Sequence, residues 1–267
     1  MKRDVLRLLF ALGLALPLPQ LSATPVPVQH KEGTSHGFVV LRSQQGQSLA
    51  TGEVIQTVEG ERVTSELVLH FKDGSLYDEI TVFSQTTEFR LLTDHLRQQG
   101  PSFPNPVDVR IDAAGGDVKA ASHKDGKEEN EEHHLQIPVD VANGLIVTLL
   151  KNLPASPPET TVSMVAGSSR VVKLRLRAES EQQFSAGGPP FKATHYVGHI
   201  DIGGVAGAIA SVAGKQPADL HFWIVGGKAP TFVKFTGPLY DQGPTWNIEL
   251  ATVRAEQNRS TSNARRQ

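Results

Sequence analysis

The chain has 267 residues, with 26 Lys plus Arg, 28 Asp plus Glu and no cysteine. Charge this close to balance excludes the basic excess that nucleic acid or an anionic membrane calls for. The absence of thiols excludes disulfide staples, thiolate metal ligands, a cysteine nucleophile and the acylated N-terminal cysteine of a lipoprotein.

In chain order, Lys2, Arg3 and Arg7 precede an apolar run from Leu8 to Leu18, and Leu21-Ser22-Ala23 offers a cut before Thr24. That is the layout of a secretory signal peptide over residues 1–23, although Leu21 departs from the small residue usual there. The run is about half of the roughly 20 residues that span a bilayer, so no permanent membrane anchor is expected. A periplasmic or secreted location follows. The mature chain would keep 23 Lys plus Arg against 27 Asp plus Glu. Residues 24–35 carry two prolines and no period, and read as a leader. Residues 36–253 read as one β-rich domain, and 254–267 as a polar, disordered tail.

Within the domain, short alternating runs recur between Gly, Pro, Asn and Asp, which predicts antiparallel β structure in about ten to twelve strands. Leu67, Leu69 and Phe71 share a face ahead of the turn Lys72-Asp73-Gly74. Val107, Val109 and Ile111 repeat the pattern, and so do Val172, Leu174 and Leu176 against Lys173, Arg175 and Arg177. Asp140 offers an N-cap, and Ala142, Leu145, Ile146, Leu149, Leu150 and Leu153 then recur at helical spacing, predicting a largely buried helix. Pro154 ends it. Gly203–Gly214, nearly all Gly, Ala, Val, Ile and Ser, predicts a short second helix whose glycines cost roughly 1 kcal/mol each relative to Ala. In Leu220–Val225 both faces are apolar, as in a strand covered on both sides or facing an apolar cavity.

Catalytic and metal chemistry find little support. His195 and His199 fall on a strand-like run, where four residues span about 13 Å, too far to share one ion at roughly 2.0 Å from each. Glu128, Glu129, Glu131, Glu132, His133 and His134 follow a turn and alternate between faces, which splits them. Ser168-Ser169 lacks the Gly-x-Ser-x-Gly elbow. Asp73, Asp78 and Glu79 flank a hairpin and read as turn and surface residues. Neither Gly203-Gly204 nor Gly226-Gly227 matches a phosphate loop. No cofactor and no catalytic residue is expected.

Large aromatics remain. Trp223, Phe232, Phe235 and Trp246 cluster in the last strands, behind the Gly/Ala segment. They are core by default, or the lining of an apolar pocket between a curved sheet and the two helices.

The stretch Phe71-Lys72-Asp73-Gly74-Ser75-Leu76, with Glu79, Val82-Phe83-Ser84-Gln85 and Phe89-Arg90-Leu91-Leu92, resembles a group of uncharacterised exported bacterial proteins. His95, Gly100-Pro101-Ser102-Phe103-Pro104 and Trp223-Ile224-Val225-Gly226-Gly227 extend the resemblance, from which no activity and no catalytic residue carry over. The order of strands, buried helix and more strands also resembles the lipoprotein-localisation-factor half-barrel, which implies a curved antiparallel sheet sheltering acyl chains.

The expected fold is therefore mainly β: a curved antiparallel open or half-barrel sheet packed on one buried helix and a short Gly/Ala-rich helix, with a β-sandwich as the alternative. The expected function is non-enzymatic binding or carriage of a lipid-like or apolar ligand in the cell envelope. Leu149, Ile209, Trp223, Phe235 and Trp246 are the expected ligand contacts. An envelope protein that binds a protein partner is the alternative, and an envelope-polymer hydrolase the third reading. A fully packed interior favours the partner; an open apolar cavity of a few hundred cubic ångströms favours the ligand.

Overall fold

The computed structural model describes residues 25–124, 127–155, 159–186, 188–203, 216–252 and 254–255, without the side chains of residues 123, 124, 127, 254 and 255. Two antiparallel meanders make one sheet. The first is β1 (Ser35–Ser43), β2 (Ser48–Glu59), β3 (Arg62–Phe71), β4 (Leu76–Gln85), β5 (Phe89–Gln99), β6 (Val107–Asp112), β7 (Asp117–Lys124) and β8 (Lys127–His134). A short helix, α1 (Ile146–Leu150), follows. The second meander is β9 (Thr160–Ala166), β10 (Arg170–Ser185), β11 (Phe191–Asp201), β12 (Leu220–Val225), β13 (Thr231–Gly237) and β14 (Trp246–Leu250). Strand β14 pairs with β1 and joins the two meanders, while β15 (Arg254–Ala255) pairs with the end of β10. Among the described residues that makes fifteen strands, more than the sequence reading counts.

The sheet curls, and its core says why. Val63, Phe83, Leu91, Ile111 and Val118 of the first meander share one buried cluster with Leu174, Leu176, Phe222 and Ile224 of the second. Val141, Ala142, Leu145, Leu149 and Leu150 stand in the middle of the same cluster. Strands this far apart in sheet order reach the same helix only if the sheet wraps around it. The alternation along each strand supplies the apolar inner face that drives the wrapping.

Among the described residues the wrapped sheet is not closed into a barrel. The segment ahead of α1 covers the free edge of β9 instead. Ala142 N–H donates to Ser163 O at 2.9 Å and Ser163 N–H to Asp140 O at 3.3 Å. The Asn143 side chain brackets Val165, donating to its carbonyl at 2.9 Å and accepting from its N–H at 2.8 Å. The β9–β10 turn reaches the opposite sheet end, where Ser168 Oγ donates to Glu131 of β8.

These contacts shorten the expected helix. Asp140 does not cap it; its carboxylate accepts from Ser163 Oγ at 2.9 Å. Gly144 then takes a left-handed φ of 66°, which breaks helical geometry, and α1 keeps five residues. The expected Gly/Ala helix, Gly203–Gly214, lies outside the described residues except for Gly203.

Residues 25–34 are tied into the domain. Val26 is buried, and its carbonyl accepts from Phe89 N–H at 3.1 Å. Asn152, after α1, accepts from the N–H groups of Gln29 and His30 at 2.9 and 2.7 Å. Of the residues behind the resemblance, Phe71, Asp73, Ser75, Ser102 and Phe103 meet at one end of the strands. Ser102 Oγ donates to Asp73 at 2.7 Å, its N–H donates to Ser75 Oγ at 2.8 Å, and Phe103 plugs the space between Phe71 and Trp246.

Candidate functional site: an interior cavity

Between α1 and the inner faces of β1–β4 and β12–β14 the sheet leaves a cavity of about 640 Å³. Native interiors hold few voids larger than a water molecule, so a space of this size is a feature of the fold. Small side chains form part of its lining, at Gly37, Ser65, Thr81 and Gly144. Its apolar wall comes from Val39, Val54, Leu67, Phe222, Phe232 and Phe235, with Ile146 and Val147 of α1 opposite. Exposed residues 33–36 and Thr231 also line it, so the cavity reaches solvent there.

The polar part of the lining is sparse and uneven. On β4, alternation turns Tyr77, Glu79 and Thr81 inward. Tyr77 O–H donates to Glu79 Oε2 at 2.8 Å, and Thr81 O–H donates to Asp94 Oδ1 at 2.9 Å. Glu79 lines the cavity; Asp94 is 4% exposed and sealed behind Gly144, where an added Cβ would lie 2.7 Å from its Oδ1. Burial pushes the Glu79 carboxyl above the ordinary range, against the pull of the Tyr77 hydrogen bond. Burial lifts Asp94 well above its ordinary value, and repulsion from Glu79 adds to the shift. Tyr77 is raised for the same two reasons.

The mouth is held by a different network. Lys151 Nζ donates to both carboxylate oxygens of Glu32 at 2.8 and 3.0 Å, and Gln56 donates to Glu32 at 3.1 Å. Gln85 fixes the Glu32 backbone, accepting from its N–H at 2.6 Å and donating to its carbonyl at 3.0 Å. Charge at the mouth is thereby balanced within the protein.

Of the five expected ligand contacts, Phe235 lines the cavity. Leu149 packs into the core beneath α1, one residue past the lining positions Ile146–Thr148. Trp246 is buried in a second cluster with Phe71 and Phe103. Trp223 stands on the outer face, stacked on His195 with ring centres 4.6 Å apart and with Lys234 Nζ 5.2 Å from its ring. Ile209 lies outside the described residues.

Sequence reading missed Glu79, which it assigned to the surface beside Asp73 and Asp78. Asp73 is indeed a turn residue, held by Ser102 and Ser75. Asp78 is buried and paired with Arg97. The only available signal for Glu79 was its parity with Tyr77 and Phe83.

Elsewhere His195 bonds His221 through ring nitrogens at 3.0 Å, and burial with repulsion from His221 holds its pKa low. His199 pairs with Asp219 at 2.7 Å. No three His, Asp or Glu side chains converge on a metal position among the described residues. No helix there is long and apolar enough to cross a membrane. In comparison with known proteins, no family model and no curated protein sequence matches the chain.

Proposed function

We propose that this chain is an exported, non-enzymatic binding protein that holds one lipid-like or apolar molecule inside its curled sheet. The observation that carries the reading is the 640 Å³ apolar cavity between sheet and helix, open at residues 33–36. Its size matches the pockets that enclose a drug-sized ligand. An apolar space kept empty costs stability, and a bound apolar molecule restores the lost contacts. Export rests on the cationic start, the Leu8–Leu18 run and the small residues before Thr24.

The same interior weighs against a hydrolase that works through paired carboxyls. Asp94 sits behind Gly144 and does not face Glu79 across an open cleft. Strand addition by a protein partner is opposed at β8, whose sequence Lys-Glu-Glu-Asn-Glu-Glu-His-His lines an exposed edge with charge.

The reading is tested with N-phenyl-1-naphthylamine, an uncharged fluorophore that brightens in apolar surroundings. Saturable binding near one molecule per chain is expected. In the variant Val54→Trp/Leu67→Trp, which narrows the cavity, affinity should fall about tenfold or more while the β circular-dichroism signal persists. Equal binding by a folded narrowed variant would reject the cavity as the site.

A further inference from the structure

We propose that the cavity selects an apolar molecule carrying one protonated amine, and that Glu79 receives the amine. The proposal rests on the carrier reading and adds the chemical class of the ligand.

Glu79 stands in the cavity wall between Tyr77 and Thr81, with Oε2 occupied by the Tyr77 hydroxyl. Among the described residues no lysine, arginine or histidine pairs with Glu79 or with Asp94, which lies one strand away on the same face. The two basic side chains of the lining are already engaged. Lys151 is held by Glu32, and His36 Nε2 lies 2.6 Å from Glu53 Oε2. The interior thus carries two acidic groups without a cation, inside walls of low polarity where charge interacts strongly.

Only some ligands relieve this. A carboxylate head would meet two acidic groups and no cation, and an alcohol would gain a single neutral hydrogen bond. An ammonium forms charge-assisted bonds to the remaining Glu79 oxygen, about twice as strong as neutral ones. The rings of Phe222, Phe232 and Phe235 line the rest of the space and suit an alkyl or aryl body. When the amine binds, the Glu79 proton leaves to solvent and a carboxylate–ammonium pair remains. Affinity for the amine should therefore rise with pH as Glu79 gives up its proton, while the alkylamine stays protonated.

The test compares dodecylamine, dodecanol and dodecanoate as competitors of N-phenyl-1-naphthylamine on the wild-type chain, E79Q and E32Q. Wild type should bind dodecylamine at least about tenfold more tightly than dodecanol, with dodecanoate weakest. In E79Q the amine should fall to the level of dodecanol, whose own affinity should hold. Amine and alcohol binding alike to the wild type would overturn the proposal and leave the carrier reading standing. So would loss of the preference in E32Q with its retention in E79Q. If none of the three competes and the fluorophore itself does not bind, the carrier reading falls too.

Discussion

At the scale of single residues, the interior depends on Gly144. It combines a left-handed φ of 66° with an approach so close that an added Cβ would lie 1.8 Å from Thr81 Oγ1. Gly167 has a similar φ of 63° but nothing within 4 Å of the same position. The pair separates conformational strain from contact. Gly167→Ala should cost about 1 kcal/mol, the strain of the left-handed region, and Gly144→Ala more than about 3 kcal/mol, measured by urea unfolding. Similar losses in both would mean that the fit of Gly144 on Thr81 is unimportant.

Asp94 permits a second prediction, on pH. Its folded-state pKa lies above the ordinary 3.8, so the folded chain holds its proton more tightly than the unfolded chain does. Stability from this group is complete below about pH 4 and is lost as pH rises through the raised value. Asp94→Asn keeps an acceptor for Thr81 and removes the charge. It should raise stability near pH 8 by about 1–3 kcal/mol, and the gain should vanish near pH 4. A gain of equal size at both pH values would contradict the buried-charge account.

Glu79 also shows where sequence reading stops. Strand β4 reads Leu-Tyr-Asp-Glu-Ile-Thr-Val-Phe-Ser-Gln, with apolar and polar side chains on both faces. Tyr77 and Phe83 point inward, yet Ile80 and Val82 give the other face as strong a claim. Period two alone does not choose between them. The pairing of Glu79 with Leu67 and Leu96 decides the matter, and that pairing is a long-range quantity.

At the scale of elements, the strands were legible wherever one face is apolar and the other charged, as in Val171–Arg177 within β10. The helix was legible in its apolar spacing but not in its length. Residues 140–145 carry the start of the helical pattern, yet the Asp140 carbonyl and the Ala142 N–H bond to Ser163 on the edge of β9. Only the presence of that edge, formed about twenty residues later, makes the choice. The leader was opaque for the same reason: Val26 gains its burial from β5 and from the residues after α1.

Two elements carry predictions. The 100–104 loop closes one end of the sheet by inserting Phe103, 1% exposed, with its ring centre 5.3 Å from Phe71 and 6.0 Å from Trp246. Phe103→Ala should cost about 3–5 kcal/mol in chemical unfolding, as large-to-small changes in a packed core do. A loss below about 1 kcal/mol would show that the loop is a loose cover. At the other end, β8 pairs only with β7, and its charge guards the open edge. Glu129→Val/Glu132→Val should shift the chain towards dimers or larger species in size-exclusion chromatography. A monomeric double variant would mean that something other than charge protects that edge.

At the scale of the molecule, the fifteen strands among the described residues curl around a five-residue helix and leave a cavity between them. The aromatic side chains expected to line such a space were placed by composition rather than by register. Trp223 and Trp246 fall on the outer face and in the end plug, while Phe222, Phe232 and Phe235 face the cavity. Strand β12 illustrates the difficulty, since apolar residues alternate with His221 and Trp223 and both parities could be inner. A bulge beside Trp223–Ile224 then shifts the register against β13.

The most direct measurement is native mass spectrometry of the protein isolated gently from the cells that make it, followed by organic extraction. The account expects a discrete adduct of one small apolar molecule per chain, removed by the solvent. A clean protein mass, unchanged after incubation with dodecylamine and dodecanol, would contradict it.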